Sequence, residues 1–276
     1  MRLHSIGADP ELFVTKGKQV SAAIGLLGGS KNNPRMIRGF GIQEDNVLAE
    51  FSMPAVTITH GYEQQFSRMV KRGIDTVTAS LKQAGLQPCD LSSHEYSVDE
   101  LRGYGQKALE FGCDPDRNAY TGEWNPAPNN ESTLRTAGGH IHVGLPERVT
   151  QNDVAIRMVI KAMDLYLGVP SVILDPDNRR RELYGKAGAY RNKPYGAEYR
   201  TLSNFWIQTD VLRKWAAERA YFAVMSAHNI EMLLARVGEE AVQDCINTGN
   251  VDLARHILQV CNIKDPLVGA KDASAA

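Results

Sequence analysis

Cysteine is scarce in this 276-residue chain: there are four, and none forms a C-x-x-C pair. Cys89, Cys113, Cys245 and Cys261 are scattered, a pattern that argues against a zinc cage or disulfide frame and for reduced core thiols. No apolar run approaches the ~18 residues that a membrane-spanning helix needs. An excess of one charge is also missing, since 31 lysines and arginines stand against 32 acids. That balance gives no general electrostatic pull toward nucleic acid or a membrane surface, and neither is expected as a partner. Internal repeats and low-complexity blocks are absent as well. The opening stretch MRLHSIGADPELFV lacks an uninterrupted apolar segment and carries an acid by its ninth residue. A secretory leader is therefore not expected, and a cytoplasmic location is. What the chain does have is a 43% hydrophobic fraction, enough for a sizeable core.

Periodicity divides that material into strands and helices. Glu11 to Thr15, Gln19 to Ala23 and Val47 to Met53 read as short strands, and the glycine-rich segment 24–38 reads as a loop. Phe66, Met69, Val70, Ile74, Val77 and Leu81 recur at helical spacing, so a helix is expected over residues 61–84 with Gly85 as its stop. The stretch 113–131 is rich in proline, asparagine and aspartate and reads as a loop. GGHIHVG, residues 138–144, is a strand between glycines. A second helix is expected over 152–167, with Thr150 as N-cap and Asp153 completing an acidic variant of the capping box. Residues 174–204 form a basic, glycine-rich loop that enters a strand at Ala197 to Leu202. From Thr209 to Ile263 the pattern is helical. The fold class is α+β.

Chemistry concentrates in four strand segments, where residues two apart share a face. Asp9-Pro10-Glu11 places two carboxylates together, an arrangement that a divalent cation relieves; a solvated edge is the plain alternative. Glu50 interrupts an apolar strand, so it faces water or a site. His140 and His142 flank Ile141 between glycines that allow close backbone approach, and they read equally as ligands or as satisfied strand histidines. Glu198 and Arg200 flank Tyr199, which gives either a salt bridge or a metal-binding carboxylate beside a phosphate-clamping arginine. Lys186, Tyr190, Arg191 and Lys193 lie on the basic loop just before them.

These segments, GADPELF, DNVLAEFSMPA, GGHIHVG and RELYGKAGAYRNKPYGAEYRTLSNFW, in this order, resemble the phage-type COOH–NH2 ligases. That family is an amidoligase relative of glutamine synthetase and the glutamate–cysteine ligases. The resemblance spans residues 6–206, and beyond Trp206 only helical character matches. It implies a glutamine-synthetase-like fold, a curved antiparallel sheet with helices packed on its convex side. A catalytic core over 1–206, C-terminal helices over 207–268 in the same domain, and a flexible tail over 269–276 are expected. It also implies ATP and Mg²⁺ or Mn²⁺ as cofactors, and an acyl phosphate that an amine converts to an amide. The substrates would be a small-molecule or peptide carboxylate and an amine.

Residue by residue, the resemblance implies Asp9, Glu11, Glu50, His140 and Glu198 as metal ligands. His142, Lys186, Arg191 and Arg200 become contacts to nucleotide or phosphate. Arg200, Glu50 and Arg191 are placed at the reacting groups. Asp9 stands where glutamine synthetase has Glu, which leaves the metal count open. Three other readings stay open: a guanidino or amino phosphotransferase on the same fold, a metal-dependent hydrolase built on the acids and histidines, and a non-catalytic scaffold. Trp206, Trp215, Tyr221 and Phe222 read as core packing. Arg179 to Arg181 read as a solvated run or a grip on an anionic substrate. The Asn118–Asn130 loop is a candidate lid.

Overall fold

The computed structural model describes residues 1–110, 115–127 and 132–266. Cys113, the 269–276 tail and residues 128–130 of the candidate lid lie outside the described residues.

One long strand, β1 (Ser5–Lys16), organises the molecule. It is followed by β2 (Gln19–Ser21), β3 (Arg35–Ile37), β4 (Phe40–Asp45), β5 (Leu48–Ser52), β6 (Val56–Thr57), β7 (Gln87–Cys89) and β8 (Ser93–Glu95). Further on come β9 (Arg117–Asn118), β10 (Leu134–Thr136), β11 (Gly139–Gly144), β12 (Ala189–Lys193) and β13 (Gly196–Tyr199). Among the described residues eleven of these form one sheet, ordered β3-β4-β5-β1-β11-β13-β12-β9, with β2, β6 and β7 also pairing with β1. β8 and β10 make a separate ribbon. Every pairing in the sheet is antiparallel.

Alternation along β1 sorts its side chains. Ile6, Ala8, Leu12 and Val14 point to the main core, while Gly7, Asp9 and Glu11 take the other face. Phe51, Ile141, Val143 and Tyr199 join the core from the neighbouring strands. The helix Tyr62–Leu81 covers this face through Phe66, Val70, Val77 and Leu81. Asp210–Ser226 lies beside it, joined by Ser67 donating to Asp210 Oδ1 at 2.6 Å and Arg213 Nε donating to Ser67 Oγ at 3.0 Å. Phe66 stacks on Trp206 at 5.7 Å, so the C-terminal helices are built into the same layer. The helices Asp153–Met163, Val169–Leu174, Glu239–Thr248 and Val251–Val260 complete it. Each fully buried large side chain in this core contributes about 1.5–3 kcal/mol.

Several expectations need correction. The first strand begins at Ser5, so Asp9 and Glu11 sit in mid-strand rather than at an entrance. Segment 24–38 ends in β3, which turns through Arg38 (φ 51°) and Gly39 (φ 88°) into β4. The basic loop contains a helical turn, Arg180–Leu183, and all of β12. The expected strand at Ala197 to Leu202 is Gly196–Tyr199. Thr150 is not the N-cap: it ends a short turn, Glu147–Thr150, and its hydroxyl donates back to the Glu147 carbonyl at 3.0 Å. Asn152 caps instead, accepting from Ala155 N–H at 3.1 Å. That helix stops at Met163 and passes through a π-helical turn, Asp164–Gly168. Trp206 is fully buried, but Phe222 is 42% exposed on the outer side of its helix. Cys89, Cys245 and Cys261 are free thiols, as expected.

Candidate active site

The register of the sheet builds the site. Residues directly opposite on paired strands share a face. Asp9 faces His140, Glu11 faces Glu50, and Glu50 faces Gln43. Across the other flank His142 faces Glu198, and Glu198 faces Arg191. Five strands, β4, β5, β1, β11 and β13, with β12 beside them, therefore present one continuous polar row opposite the helix layer. Arg200, two residues past Glu198, keeps to the same side. A cleft of about 240 Å³ lies over the row, lined by Asp9, Glu11, Glu50, His140, Glu198 and Arg200 among others.

Contacts inside the row are short. His140 Nδ1 lies 3.3 Å from Asp9 Oδ1 and 3.7 Å from Glu198 Oε1, and its Nε2 is 3.9 Å from Glu11 Oε1. Glu11 also accepts the Gly138 N–H at 2.5 Å. Glu198 is ringed by cations: Arg200 Nη1 donates to Oε1, Lys193 Nζ sits 2.6 Å from Oε2, and Arg191 Nη1 is 3.9 Å away. Asp9, His140 and Glu198 each offer one ligand atom, all within 4.8 Å of one another. Two carboxylates and an imidazole, largely shielded from water, are a donor set that suits Mg²⁺ or Mn²⁺.

Charge state follows from this crowding. Burial would raise the Asp9 carboxyl, but the His142 and His140 rings outweigh it and hold it well below the usual range. Glu198 is likewise opposed by burial and by Asp9, yet Arg200, His140 and His142 bring it down to about 2. Glu50 goes the other way: burial and the Asp9, Asp45 and Glu11 carboxylates push it well up, against a 2.6 Å hydrogen bond from Gln43. Asp45 rises to about 7 through burial and Glu11. The row therefore contains two carboxylates held ionised and two held toward the proton-bearing form.

Of the residues expected from sequence, Asp9, Glu11, Glu50, His140, Arg191, Glu198 and Arg200 line one cleft. His142 lies beside it, lining an adjoining hollow with Tyr195, whose hydroxyl meets His142 Nδ1. Lys186 is not among the cleft-lining residues; it sits half-buried ahead of β12, its carbonyl accepting from Thr201 at 2.9 Å. The glycines before His140 serve the protein's own packing rather than a ligand. A Cβ on Gly139 would stand 2.4 Å from Ser203 O and Trp206 Nε1.

Sequence reading missed Gln43, Asp45 and Asp116 as site residues, and offered Arg180 only as one of a basic run. Gln43 and Asp45 belong to the undetected strand β4, where spacing of two would have flagged them. Asp116 Oδ1 forms an ion pair with Arg200 Nε at 2.6 Å and lies 3.6 Å from Arg191 Nε. It comes from a loop with no periodicity to reveal it.

Fold and site together define an α+β protein with an acidic, arginine-flanked cleft across the face of its sheet opposite the helices. The family model described as phage phiEco32-like COOH.NH2 ligase-type 2 matches residues 130–265, which supports the amidoligase family that the motifs resemble. The match holds His140, His142, Arg191, Glu198 and Arg200, and it runs on through the C-terminal helices, past the Trp206 limit of the motif resemblance. Asp9, Glu11 and Glu50 lie outside the match and reach the site through the strand register. No curated protein matches the chain. No helix among the described residues is long and apolar enough to cross a membrane.

Proposed function

We propose that the chain is an ATP- and Mg²⁺-dependent carboxylate–amine ligase built on a glutamine-synthetase-like sheet. The family match supports the reaction class. The observation that carries the rest is the Asp9–His140–Glu198 set, within 4.8 Å, with Arg191, Lys193 and Arg200 around Glu198 in one cleft.

A carboxylate is a poor electrophile, and phosphorylation gives it a leaving group. Its oxygen attacks the γ-phosphorus, the bond to the bridging oxygen breaks, and ADP departs. The amine nitrogen then attacks the acyl carbon, the carbon–oxygen bond to phosphate breaks, and phosphate leaves. Mg²⁺, when held by Asp9, His140 and Glu198, supplies positive charge where phosphate negative charge accumulates. Arg200 and Arg191 offer fixed donors to the same oxygens. Asp116, paired with both guanidiniums, keeps Arg200 on the site side of the sheet. The attacking amine must lose a proton, and Asp45, poised at about 7, is the carboxyl suited to take it. Glu50, pushed well up by burial and by the Asp9 carboxylate, favours its proton-bearing form. The family's phage description supports a bacterial cytoplasmic setting for this reaction.

Calorimetry tests the reading. ATP and GTP are titrated with and without Mg²⁺ into the wild type and Glu198→Gln. Mg²⁺-dependent ATP binding that the variant loses is the expected result. Absence of nucleotide binding at every metal concentration would overturn it. ADP release that needs no amine and yields a stable phosphorylated product would favour the phosphotransferase reading instead.

A further inference from the structure

Among the described residues β3 ends the sheet order, and it turns into β4 through Arg38 and Gly39, both at positive φ (51° and 88°). Ile37 and Phe40 stand opposite each other across this two-residue turn. A turn of that hand ordinarily takes asparagine, aspartate or glycine first, because a long side chain gains nothing from the left-handed backbone. Here the position holds an arginine, exposed at the mouth of a groove of about 430 Å³. The groove runs between the β3–β4 hairpin and the helix Tyr62–Leu81. Pro34 lines the acid cleft while Arg35 and Ile37 line the groove, so the two spaces lie on opposite faces of the sheet.

The groove joins an apolar floor to a cationic rim. Ile37, the buried Phe40 and Ala79 supply carbon, and Arg35, Arg38 and Arg72 stand around them. Arg35 Nη1 meets only the Leu27 carbonyl, at 3.4 Å, and Arg72 Nη1 only Met69 Sδ, at 4.0 Å. Among the described residues no carboxylate pairs with Arg35, Arg38 or Arg72. Asp75 lines the groove too, but Lys71 holds its Oδ1. The rim is therefore positive in a chain whose net charge is −1, and it favours an anionic occupant. Single-stranded nucleic acid fits poorly: Phe40 is buried rather than offered for stacking, and three cations make a short phosphate track. An extended peptide with carboxylates around an apolar side chain matches both the rim and the floor.

We propose that this groove docks a short acidic segment of a partner protein, in which an apolar residue lies between two acids. The apolar side chain rests on Ile37, Phe40 and Ala79. Neighbours in an extended chain point the opposite way, so the flanking carboxylates turn to the rim, toward Arg38 on one side and Arg72 on the other. The contact recruits a partner and performs no chemistry. It lies behind the sheet from the acid cleft and holds whether or not the chain is a ligase.

The test uses the whole chain and three fluorescein-labelled peptides, Glu-Leu-Glu-Leu-Glu and its Gln and Lys counterparts, read by fluorescence anisotropy. At low salt the Glu peptide should bind at least ~10-fold tighter than the Gln peptide, and about 0.5 M salt should remove most of that margin. The double variant Arg38→Glu, Arg72→Glu should lose the Glu peptide and come to favour the Lys peptide. Ala79→Trp, which fills the groove and leaves every arginine in place, should weaken the Glu peptide by a similar factor with an unchanged unfolding transition. Equal binding of the Glu and Gln peptides, no binding of either, or a Glu peptide untouched in both variants would overturn the proposal. So would binding lost in Lys193→Met but kept in the double variant, which would put the peptide in the acid cleft. Tighter binding of oligothymidylate with the same arginine dependence would assign the groove to nucleic acid. Self-association of the chain that Arg38→Glu abolishes would assign it to a second copy, and either result overturns the peptide.

Discussion

His142 and Asp9 touch on the diagonal: Nε2 lies 3.0 Å from Oδ1, although the register sets His142 opposite Gly7 and Asp9 opposite His140. Gly7 presents no side chain, so the ring leans one residue pair along the sheet to the carboxylate. One carboxylate oxygen thereby meets both imidazoles of the H-x-H strand.

This contact should be visible in titration. Burial alone lowers the His142 ring, but Asp9 and Glu198 raise it above the ordinary value. A raised histidine contributes stability that is fully present below its unfolded value near 6.5 and is lost as pH rises through its folded value. Asp9, held low, contributes stability present above 3.8 and lost as pH falls through its depressed value. Asp9→Asn removes the raising charge and leaves the burial. The His142 ring resonances, followed by NMR, should then titrate below the wild-type midpoint. An unmoved midpoint would mean that Asp9 does not set the ring's charge.

Asp45 has the opposite sign of effect. Its folded value near 7 lies above its ordinary 3.8, so the folded state binds the extra proton and loses stability as pH climbs through that window. Asp45→Asn abolishes the cost of ionising the group. In urea unfolding the variant should gain on the order of 2 kcal/mol relative to wild type on going from pH 5 to pH 8. Glu198, brought down to about 2, supplies stability present above 4.5 and lost only as pH falls toward 2, so it leaves that comparison untouched. A gap between variant and wild type that is the same at both pH values would refute the assignment.

The polar row was legible in the sequence because it lies on strands, where a spacing of two states which side chains share a face. Asp9-x-Glu11, His140-x-His142 and Glu198-x-Arg200 each announce a face before any partner strand is known. What failed were the strands that look like loops. β12 runs into Pro194 and Gly196, and β3 turns through Arg38 and Gly39, so turn chemistry masks three- to five-residue strands. Asp116 and Arg180 could not be found by spacing, since chain reversal alone brings them to Arg200 and His140. Thr150 misled because either it or Asn152 satisfies the cap rule, and only the preceding turn decides between them.

Gly73 marks where the helix layer bears on the site strand from behind. A Cβ there would stand 2.1 Å from Phe51 Cε2, and Phe51 follows Glu50 on β5. Alanine ordinarily favours a helix by about 1 kcal/mol over glycine. Here the overpacking should win, and Gly73→Ala should lower stability by about 1–3 kcal/mol. Pairing it with Phe51→Leu should recover most of the loss, because the smaller side chain vacates the clash. Denaturant midpoints for the single and double variants check this, and additive losses would show that the two residues do not meet.

Lys193 competes with any cation for Glu198. Its ammonium lies 2.6 Å from Glu198 Oε2, while Glu198 Oε1 is already engaged by Arg200 and lies 3.7 Å from His140. Lys193 is about 30% exposed, so its loss costs the fold little, whereas Arg200 is pinned between Glu198 and Asp116. A divalent ion bound by Asp9, His140 and Glu198 must displace or tolerate that ammonium. Lys193→Met should therefore tighten Mn²⁺ binding in the absence of nucleotide, by roughly 3- to 10-fold, a coupling of about 1 kcal/mol. With ATP present the sign should reverse, because the same ammonium is then free to meet phosphate. Electron paramagnetic resonance of free Mn²⁺ gives both affinities directly. If Lys193→Met weakens Mn²⁺ binding without nucleotide, Glu198 is not the carboxylate that takes the cation.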